Sequence, residues 1–384
     1  MSKLNHPRIA LVCDWLTEIG GAEQVLLELT KIFPEAPIYT SQYRPRLATK
    51  FQSRRVITGW LNILPRALRK FIAPLRAHYF SHLRLTGYDI VISVCNAECK
   101  GIKVASGTRH IAYLQGPPTQ YYWGMYDQYI ANPGFGKLNW LARFGLRMLV
   151  KPMRRSDWRA AQRPDTLLAN SHYVADEIKR YYGRPSQVLF PLAQVDQIKL
   201  ASQQVKAKDI RQIRQELFKG GDFYVVAGRQ VNWKRFDLAI QACLETGDNL
   251  LVIGSGPEHN SLVKLAGGNS QIKFLPKYDG VGEIVKYYRS AKGLIFPSLE
   301  PFGIVPVEAL ASGLPVLAFR RGGSADIIRD GINGLFFPEQ TVDSLAEGIK
   351  RFNVAQFKKA QVIKSAERFS TEHFRKNIKQ IIEQ

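Results

Sequence analysis

The hydrophobic residues of this chain fall into short runs rich in valine, isoleucine and leucine, separated by longer stretches with helical spacing of apolar positions. Short apolar runs bounded by turn residues are typical of strands buried on both faces of a sheet. The predicted strands form two series along the chain. The first comprises residues 8–13, 89–94, 110–115 and 166–171, and the second comprises residues 223–228, 249–254, 272–276, 293–298 and 314–319.

Helical patterns separate most of these strands, for example residues 22–33 and 281–291. Strands that alternate with helices form parallel sheets with helices on both faces, so the two series predict an α/β protein with two doubly wound domains. We expect these domains over residues 1–190 and 191–369, and the last helix, about residues 370–384, could pack on either. Because open parallel sheets bind ligands beyond the carboxyl ends of their strands, two such sheets also predict a cleft between the domains.

The composition, 45% hydrophobic and 22% charged over 384 residues, is that of an ordinary globular protein. No apolar run is long enough to cross a membrane, and the first residues predict a buried strand rather than a signal peptide. The cysteines are Cys13, Cys95, Cys99 and Cys243. They are too few and too scattered for a disulfide framework or a zinc site, so we expect reduced thiols in a cytosolic protein.

The formal net charge is +22, and it is unevenly distributed. Residues 36–88 carry ten Lys or Arg and no acidic residue, and residues 128–156 carry six and none. Such a surface attracts nucleic acid, an anionic membrane or a phosphorylated substrate. A solvated face that only aids solubility is the alternative.

Charged and small residues follow two of the predicted strands. Arg229 ends the strand 223–228 and Lys234 precedes a helical stretch, a pattern that suits a diphosphate, although surface cations are an equal alternative. Gly20 and Gly21 precede the first helix, where backbone could approach a phosphate or simply form a tight turn. Without a complete G-x-G-x-x-G, they are not a dinucleotide fingerprint.

The stretch LEPFGIVPVEALASG, residues 299–313, has two glutamates on either side of helix-breaking residues. These helix breakers are Pro301, Gly303 and Pro306. They place Glu300 in a loop after a strand, and they predict a helix that begins near Pro306, has Glu308 in its first turn and stops at Gly313. Glu308 could therefore act only as a first-turn acid that stabilises the helix dipole. The alternative is that carboxylate acceptors and the backbone amides between them hold a ligand with many hydroxyl groups.

The segment EPFGIVPVEA, residues 300–309, resembles the Glu-x7-Glu motif of retaining glycosyltransferases of family four, which have the two-domain GT-B fold. Other segments resemble the family in the same order along the chain. They are residues 20–29, 169–178, 228–240, 253–258, 313–323 and 330–349. The start CDWLTEIGGAE, the segment AECKGI (97–102) and WKR before FDLAI are most similar to the branch of O-antigen mannosyltransferases.

The resemblance implies a role for each matching residue. Arg229 and Lys234 would bind the donor diphosphate and stabilise the leaving phosphate, assisted by the amides at Gly20 and Gly21. Glu308 would bind the ribose hydroxyls. The donor sugar would be held by Glu300 and the backbone amides of Phe302, Gly303, Ile304 and Val305. The family works without a metal or another cofactor, and the sequence has no DxD-type carboxylate pair beside these motifs.

One position departs from the family. Many relatives carry His-Thr-Pro at the end of the corresponding strand, near the donor sugar. This chain has YLQGPP at residues 113–118, so Gln115 stands where the histidine would be. Glutamine can hydrogen-bond a hydroxyl but cannot titrate, which puts donor preference and rate in question.

The resemblance thus implies a hexosyltransferase that transfers mannose from GDP-mannose to a lipid-linked or oligosaccharide acceptor during synthesis of a bacterial lipopolysaccharide or exopolysaccharide. We expect a cytoplasmic protein held peripherally at the inner, anionic face of the cell membrane, because residues 55–85 interleave cations with aromatic side chains. The alternatives are a UDP-sugar donor, an inactive sugar-nucleotide-binding relative and a nucleic-acid-binding protein. No nucleic-acid-binding motif supports the last of these.

Overall fold

The structure is a computed structural model that describes residues 7–18, 20–65, 72–119, 122–124, 126–131 and 136–384. Arg66, Arg69 and Lys70 of the basic 55–85 segment lie outside the described residues. The chain divides into two units, Met1–Phe190 and Pro191–Gln384. Each unit is built around its own parallel sheet.

The first unit has a seven-stranded sheet in the order β3-β2-β1-β5-β7-β8-β9 and a two-stranded sheet of β4 and β6. Its strands are β1 Ile9–Cys13, β2 Ile38–Thr40, β3 Val56–Thr58, β4 Arg84–Leu85, β5 Ile90–Cys95, β6 Lys103–Val104, β7 Arg109–Leu114, β8 Thr166–Ala169 and β9 Gln187–Val188. Its helices are α1 Gly21–Ile32, α2 Ala73–His82, α3 Tyr126–Ala131, α4 Asn139–Ala161 and α5 His172–Tyr182.

The second unit has a six-stranded sheet in the order β12-β11-β10-β13-β14-β15. Its strands are β10 Phe223–Ala227, β11 Asn249–Ile253, β12 Ile272–Leu275, β13 Gly293–Phe296, β14 Val316–Phe319 and β15 Gly334–Phe337. Its helices are α6 Val195–Gln204, α7 Ala207–Phe218, α8 Phe236–Thr246, α9 His259–Ala266, α10 Gly280–Ser290, α11 Ile304–Ser312, α12 Ser324–Ile327, α13 Val342–Val354, α14 Lys359–Ser365 and α15 Thr371–Glu383.

The central strands are buried along their whole length, and this explains why their sequences are continuous apolar runs. All five residues of β1 and all five of β10 are buried. The nine strands predicted from the sequence are all present, and each ends within two residues of its predicted bounds. The predicted α/β class with two doubly wound sheets is therefore confirmed.

In each sheet the chain order reverses at one point. Successive strands run from β1 to one side through β2 and β3, and the later strands extend from β5 on the other side. In the second unit the reversal lies between β10 and β13. Loops that leave the carboxyl ends of the two strands at such a point diverge and leave room for a ligand. These two reversals are therefore where the candidate residues should be sought.

Among the described residues, no helix combines the length and apolar character that are needed to cross a membrane.

Candidate functional site

A lysine and a glutamate meet at the reversal point of the second sheet. Lys234 lies on the loop after β10, Glu300 lies on the loop after β13, and these two strands are paired in register. The Lys234 Nζ is 2.7 Å from Glu300 Oε1, with the side chains only 12% and 14% exposed. The structure therefore brings together two of the three residues predicted to be catalytic.

Arg229, the third, lies on the same loop as Lys234 and is exposed. It makes no hydrogen bond or ion pair with any residue that the structure describes. Its neighbour Gln230 is fully buried, donates from Nε2 to the Gly254 carbonyl over 2.6 Å and contacts His259 Nδ1 through Oε1 over 2.8 Å. The guanidinium therefore projects from a loop that is firmly held on its inner side.

Two glycines in the segment IGSGPE explain how the β10 loop is held. A Cβ atom at Gly254 or Gly256 would collide with backbone carbonyl groups of residues 228 and 230. The two loops can pack this closely only because both positions lack a side chain. This sequence motif therefore has a structural role, since it supports the loop that carries Arg229 and Lys234.

The loop between β13 and α11 presents backbone rather than side chains. Gly303 has φ +102°, a left-handed conformation that favours glycine, and α11 begins at the next residue. The Phe302 ring is buried and packs edge-on against Phe369 with centroids 5.4 Å apart. The Phe302 side chain is therefore not available to a ligand. The amides of residues 302–305 crowd the start of α11, where the helix dipole favours negative charge or oxygen acceptors.

The glycine pair Gly322–Gly323, which lies in the segment 313–323, supports this loop from behind. A Cβ atom at Gly322 would meet the Glu300 backbone, and one at Gly323 would meet the Phe302 backbone. The Gly323 amide donates to the Glu300 carbonyl over 2.9 Å. The position of Glu300 thus depends on two residues with no side chain of their own.

The prediction that Glu308 lies in the first helical turn is wrong. The helix α11 begins at Ile304, so Glu308 is its fifth residue and lies in the second turn. Pro306 is the third residue, which is allowed because the first backbone N–H groups of a helix have no acceptor within it. The helix dipole explanation for Glu308 is correspondingly weak, because that effect is confined to the first turn.

Glu308 belongs electrostatically to the same site. Burial raises the pKa of its carboxyl to about 7, and the nearby Lys234 acts in the opposite direction. Its charge also contributes, after burial, to the raised pKa of Tyr278, which is partly exposed on the loop after β12. Sequence reasoning missed Tyr278. A lone tyrosine in a polar loop carried no pattern that could have indicated it.

In the first unit, Gly20 and Gly21 lie where α1 begins, after β1. The Gly20 amide donates to the Glu23 carboxylate over 2.9 Å, so this predicted donor-binding amide is already hydrogen-bonded within the helix start. Gly21 is exposed and is the first residue of α1. The predicted roles of both glycines stay predictions.

Gln115 follows β7, and its backbone is held on both sides. Its amide donates to Cys95 and its carbonyl accepts from Asn170 Nδ2 over 2.7 Å. Its buried side-chain Nε2 has no hydrogen-bond partner among the described residues, and the neighbouring Tyr113 hydroxyl donates to the Leu189 carbonyl over 2.5 Å. Burial raises the Tyr113 pKa. The sugar contact expected of Gln115 stays a prediction.

Asp14 is a further residue at the reversal point of the first sheet that sequence reasoning missed. Its buried carboxylate accepts hydrogen bonds of 2.7–2.8 Å from four successive amides, those of residues 96–99, and thereby fixes the loop after β5 to the end of β1. The partners lie more than 80 positions away in the chain, so no local spacing could have revealed the contact.

Within the described part of the chain, no three His, Cys, Asp or Glu side chains lie together as metal ligands would. The Cys95 and Cys99 sulfurs are 3.1 Å apart, and both residues are buried free thiols.

Part of the second unit is similar in sequence to known proteins. Residues 208–369, which make up most of the second unit, match the family of glycosyl transferases group 1. An uncharacterized glycosyltransferase of Methanocaldococcus jannaschii, MJ1607, is 37% identical over 106 residues, or 27% of each chain. A D-inositol 3-phosphate glycosyltransferase of Streptomyces bingchenggensis is 29% identical over 210 residues, which cover 49% of this chain and 45% of the relative. The matches thus span less than half the length of these curated relatives.

The fold extends the comparison to the whole chain. The crystal structure of Anabaena Alr3699/HepE in complex with UDP-glucose superposes with a TM-score of 0.67 at 19% identity and covers 98% of this chain and 99% of HepE. This likeness shows the fold, which is the GT-B fold of glycosyltransferases. The predicted fold class is confirmed. The resemblance to the O-antigen mannosyltransferase branch stays a prediction.

Proposed function

We propose that this protein is a retaining glycosyltransferase that transfers a hexose from a nucleoside-diphosphate sugar to an oligosaccharide or lipid-linked glycan. One observation carries the proposal. Lys234, Glu300 and Glu308 share one electrostatic environment at the reversal point of the second sheet, with Arg229 exposed on the same loop as Lys234. That sheet lies in the segment that matches the glycosyl transferases group 1 family.

The chemistry of these residues matches the parts of such a donor. Arg229 can grip two phosphate oxygens, while Lys234 supplies a point charge that stabilises the leaving diphosphate. Glu300 and the backbone amides of residues 302–305 offer acceptors and donors to sugar hydroxyls. Glu308 accepts from the ribose hydroxyls, and the partly exposed Tyr278 ring is suited to stack against the base. No step requires a metal, since two cations and helix amides can stabilise the same charge.

The donor we propose first is GDP-mannose, on the resemblance of the sequence motifs to mannosyltransferases. A UDP-sugar is the second candidate, because HepE was crystallised with UDP-glucose. The direct test measures release of nucleoside diphosphate from GDP-mannose, UDP-glucose and UDP-galactose in the presence of a glycan acceptor. Release from GDP-mannose alone supports the first donor, and release from a UDP-sugar supports the second. If donors bind but none is consumed, the protein is an inactive relative and the proposed reaction is wrong.

The proposed setting is the inner, anionic surface of a bacterial membrane, where a lipid-linked acceptor for a cell-surface polysaccharide would be found. The acid-free tracts 36–88 and 128–156 support it, since cations attract anionic lipid headgroups. Arg76 of the first tract does not contribute, because it is buried in an ion pair with Glu98. Changing Arg66, Arg69 and Lys70 to glutamate tests the contribution of the first tract by sedimentation with lipid vesicles. Unchanged sedimentation would exclude these three residues as part of the membrane contact.

The raised pKa of Glu308 predicts a pH dependence of donor binding. The carboxyl is protonated below its pKa of about 7 and then loses much of its capacity to accept ribose hydroxyls. Donor affinity should therefore rise several-fold as pH rises through about 7. Calorimetry with an intact nucleotide sugar is the suitable measurement, because its diphosphate diester loses no proton near neutral pH. In Glu308→Gln the pH dependence should disappear, and an identical slope in both proteins would show that another group titrates.

Gln115 should tolerate exchange for the histidine of its relatives but not removal. We expect Gln115→Ala to lower transfer several-fold, because a contact with a sugar hydroxyl is lost, and Gln115→His to remain active. Steady-state transfer rates, together with melting temperatures of both variants, separate an effect on transfer from an effect on folding. An alanine variant with an unchanged rate would place Gln115 outside the donor pocket.

A further inference from the structure

The first half of α4, residues 139–149, buries none of its side chains. The buried side chains of this helix are Val150, Met153, Asp157 and Ala161. Every one lies in the second half, so residues 139–149 extend for about 16 Å of helix with no buried side chain. Within the described part of the chain, Arg143 of this half donates to the Ile130 and Ala131 carbonyls over 3.0 and 2.9 Å, whereas other side chains of the same half form an exposed face.

The second half is firmly anchored by buried polar contacts. The Asp157 carboxylate accepts hydrogen bonds from Lys100 Nζ over 2.6 Å, from Trp123 Nε1 over 2.8 Å and from the Tyr182 hydroxyl over 2.7 Å. The Thr119 hydroxyl donates to the same carboxylate over 3.0 Å. A buried aspartate with four such partners holds the second half of α4 against the rest of the first unit.

That first half exposes large apolar side chains, among them two aromatic residues. Trp140 is 68% exposed, Phe144 is 62% exposed and Met148 is 64% exposed. They are spaced four residues apart and therefore lie on one helix face, with Leu141 beside them. Apolar surface gathered in this way marks an interaction site, whereas single exposed apolar residues do not.

The same helix face continues into cations. Lys151 and Arg155, both exposed, follow Met148 in the same angular sector, and Arg147 flanks it. No acidic residue occurs between positions 128 and 156. The exposed face is thus divided along its length into an apolar half, residues 140–149, and a cationic half, residues 150–159. We name this face the α4 ridge.

We propose that the α4 ridge docks this protein onto an anionic lipid bilayer, with the apolar half entering the headgroup layer and the cationic half facing lipid phosphates. Aromatic and apolar side chains gain by burial between headgroups, while lysine and arginine are attracted to negative lipid charge. Bases of a single-stranded nucleic acid would stack on Trp140 and Phe144 but would leave Met148 and Leu141 without an apolar partner. A second copy would bring two acid-free cationic faces together, which the net charge of +22 opposes. The ridge thus adds a specific membrane contact to the proposed function, and it does not depend on the reaction.

The first test is sedimentation with phosphatidylcholine vesicles, with or without phosphatidylglycerol. The protein should sediment only with the anionic vesicles, and added salt should release it. Changing Trp140, Phe144 and Met148 together to serine should lower the vesicle partition coefficient by about tenfold or more. The matched control changes three exposed apolar residues of the second unit, Leu200, Val263 and Val354, to serine and should bind like the wild type.

A second pair of variants tests the cations. The double variant Lys151→Glu, Arg155→Glu should abolish binding to anionic vesicles. The control is the double variant Lys376→Glu, Lys379→Glu, which changes the net charge by the same amount at exposed positions of α15. This control should still bind anionic vesicles. Both pairs should keep donor-induced stabilisation. A defect in membrane docking can therefore be distinguished from failure of the proposed glycosyl transfer.

A third measurement identifies the residue that enters the bilayer. Lipids brominated in the acyl chain should quench part of the tryptophan fluorescence of the wild type, and Trp140→Phe should lose that quenching while it still sediments. Equal quenching in both proteins, equal binding to neutral and anionic vesicles, or no binding would each overturn the proposal. It would also be overturned if, of all these variants, only the one with Arg66, Arg69 and Lys70 changed to glutamate lost vesicle binding. A wild type that is dimeric in solution, together with a three-serine variant that is monomeric, would overturn it as well.

Discussion

Replacing Arg229 or Lys234 with alanine is expected to lower turnover by more than about a hundredfold, since removal of one group that stabilises developing charge typically costs about 3–4 kcal/mol. The two residues differ in their surroundings. Lys234 forms an ion pair with Glu300, whereas Arg229 is exposed on the same loop. Each substitution should therefore lower the turnover rate, while only Lys234→Ala should also change the melting temperature, because only it breaks an ion pair.

Arg235 provides the matched control. It follows Lys234 directly, but its guanidinium is held by Asp237 at 3.0 Å. Arg235→Ala removes a cation from the same turn and should leave turnover within about twofold of the wild type, because Arg235 is not expected to reach the diphosphate. A folded Arg229→Ala, Lys234→Ala double variant with nearly normal turnover would eliminate the diphosphate assignment.

The two glutamates of the EPFGIVPVEA segment should fail in different ways. Glu308→Gln is expected to weaken binding of the donor and of the free nucleoside diphosphate alike by roughly tenfold or more, because a hydrogen bond to a charged group contributes about 1.5–3 kcal/mol. Glu300→Gln should leave binding of the free nucleotide nearly unchanged and lower transfer, since its proposed partner is the sugar. Calorimetry with the free diphosphate, followed by transfer rates at saturating donor, separates these two effects.

Glu347, exposed on α13, is the matched position for these changes, and Glu347→Gln should affect neither measurement. Glu300 contacts Lys234, so its variant also shows whether the ion pair matters for nucleotide binding. An equal loss of nucleotide affinity in Glu300→Gln and Glu308→Gln would contradict the division of roles.

The central strands were predictable because burial on both faces leaves a continuous apolar run such as FYVVA in β10. The short strands β2 and β3 were not, since three residues are too few to show a pattern and their place is decided by pairing of β2 with β1 and of β3 with β2. Glycine and proline chemistry correctly predicted that no helix continues through Gly303. It did not predict that α11 begins at Ile304 rather than near Pro306, so Glu308 was placed in the first turn instead of the second.

The sequence allowed the residues of the candidate site to be named, but it did not allow the contacts between them to be predicted. Arg229, Lys234 and Glu300 were named from their places after predicted strands, and Glu308 was named from the predicted helix that follows Glu300. That Lys234 contacts Glu300 depends on β10 lying beside β13, which is a property of strand order. The Asp14 contacts depend on long-range packing in the same way. The α4 ridge was visible only as an acid-free tract, because the sequence does not show which apolar side chains of a helix remain exposed.

The central claim is that Arg229 and Lys234 hold the diphosphate of a nucleotide sugar, and thermal unfolding with and without donor tests it most directly. At about 100 times its dissociation constant, the correct donor should stabilise the wild type by about 2.7 kcal/mol. The double variant Arg229→Ala, Lys234→Ala should melt at the same temperature with or without that donor. Equal stabilisation of the wild type and the double variant would contradict the claim, and so would the absence of any shift with GDP-mannose and every UDP-sugar.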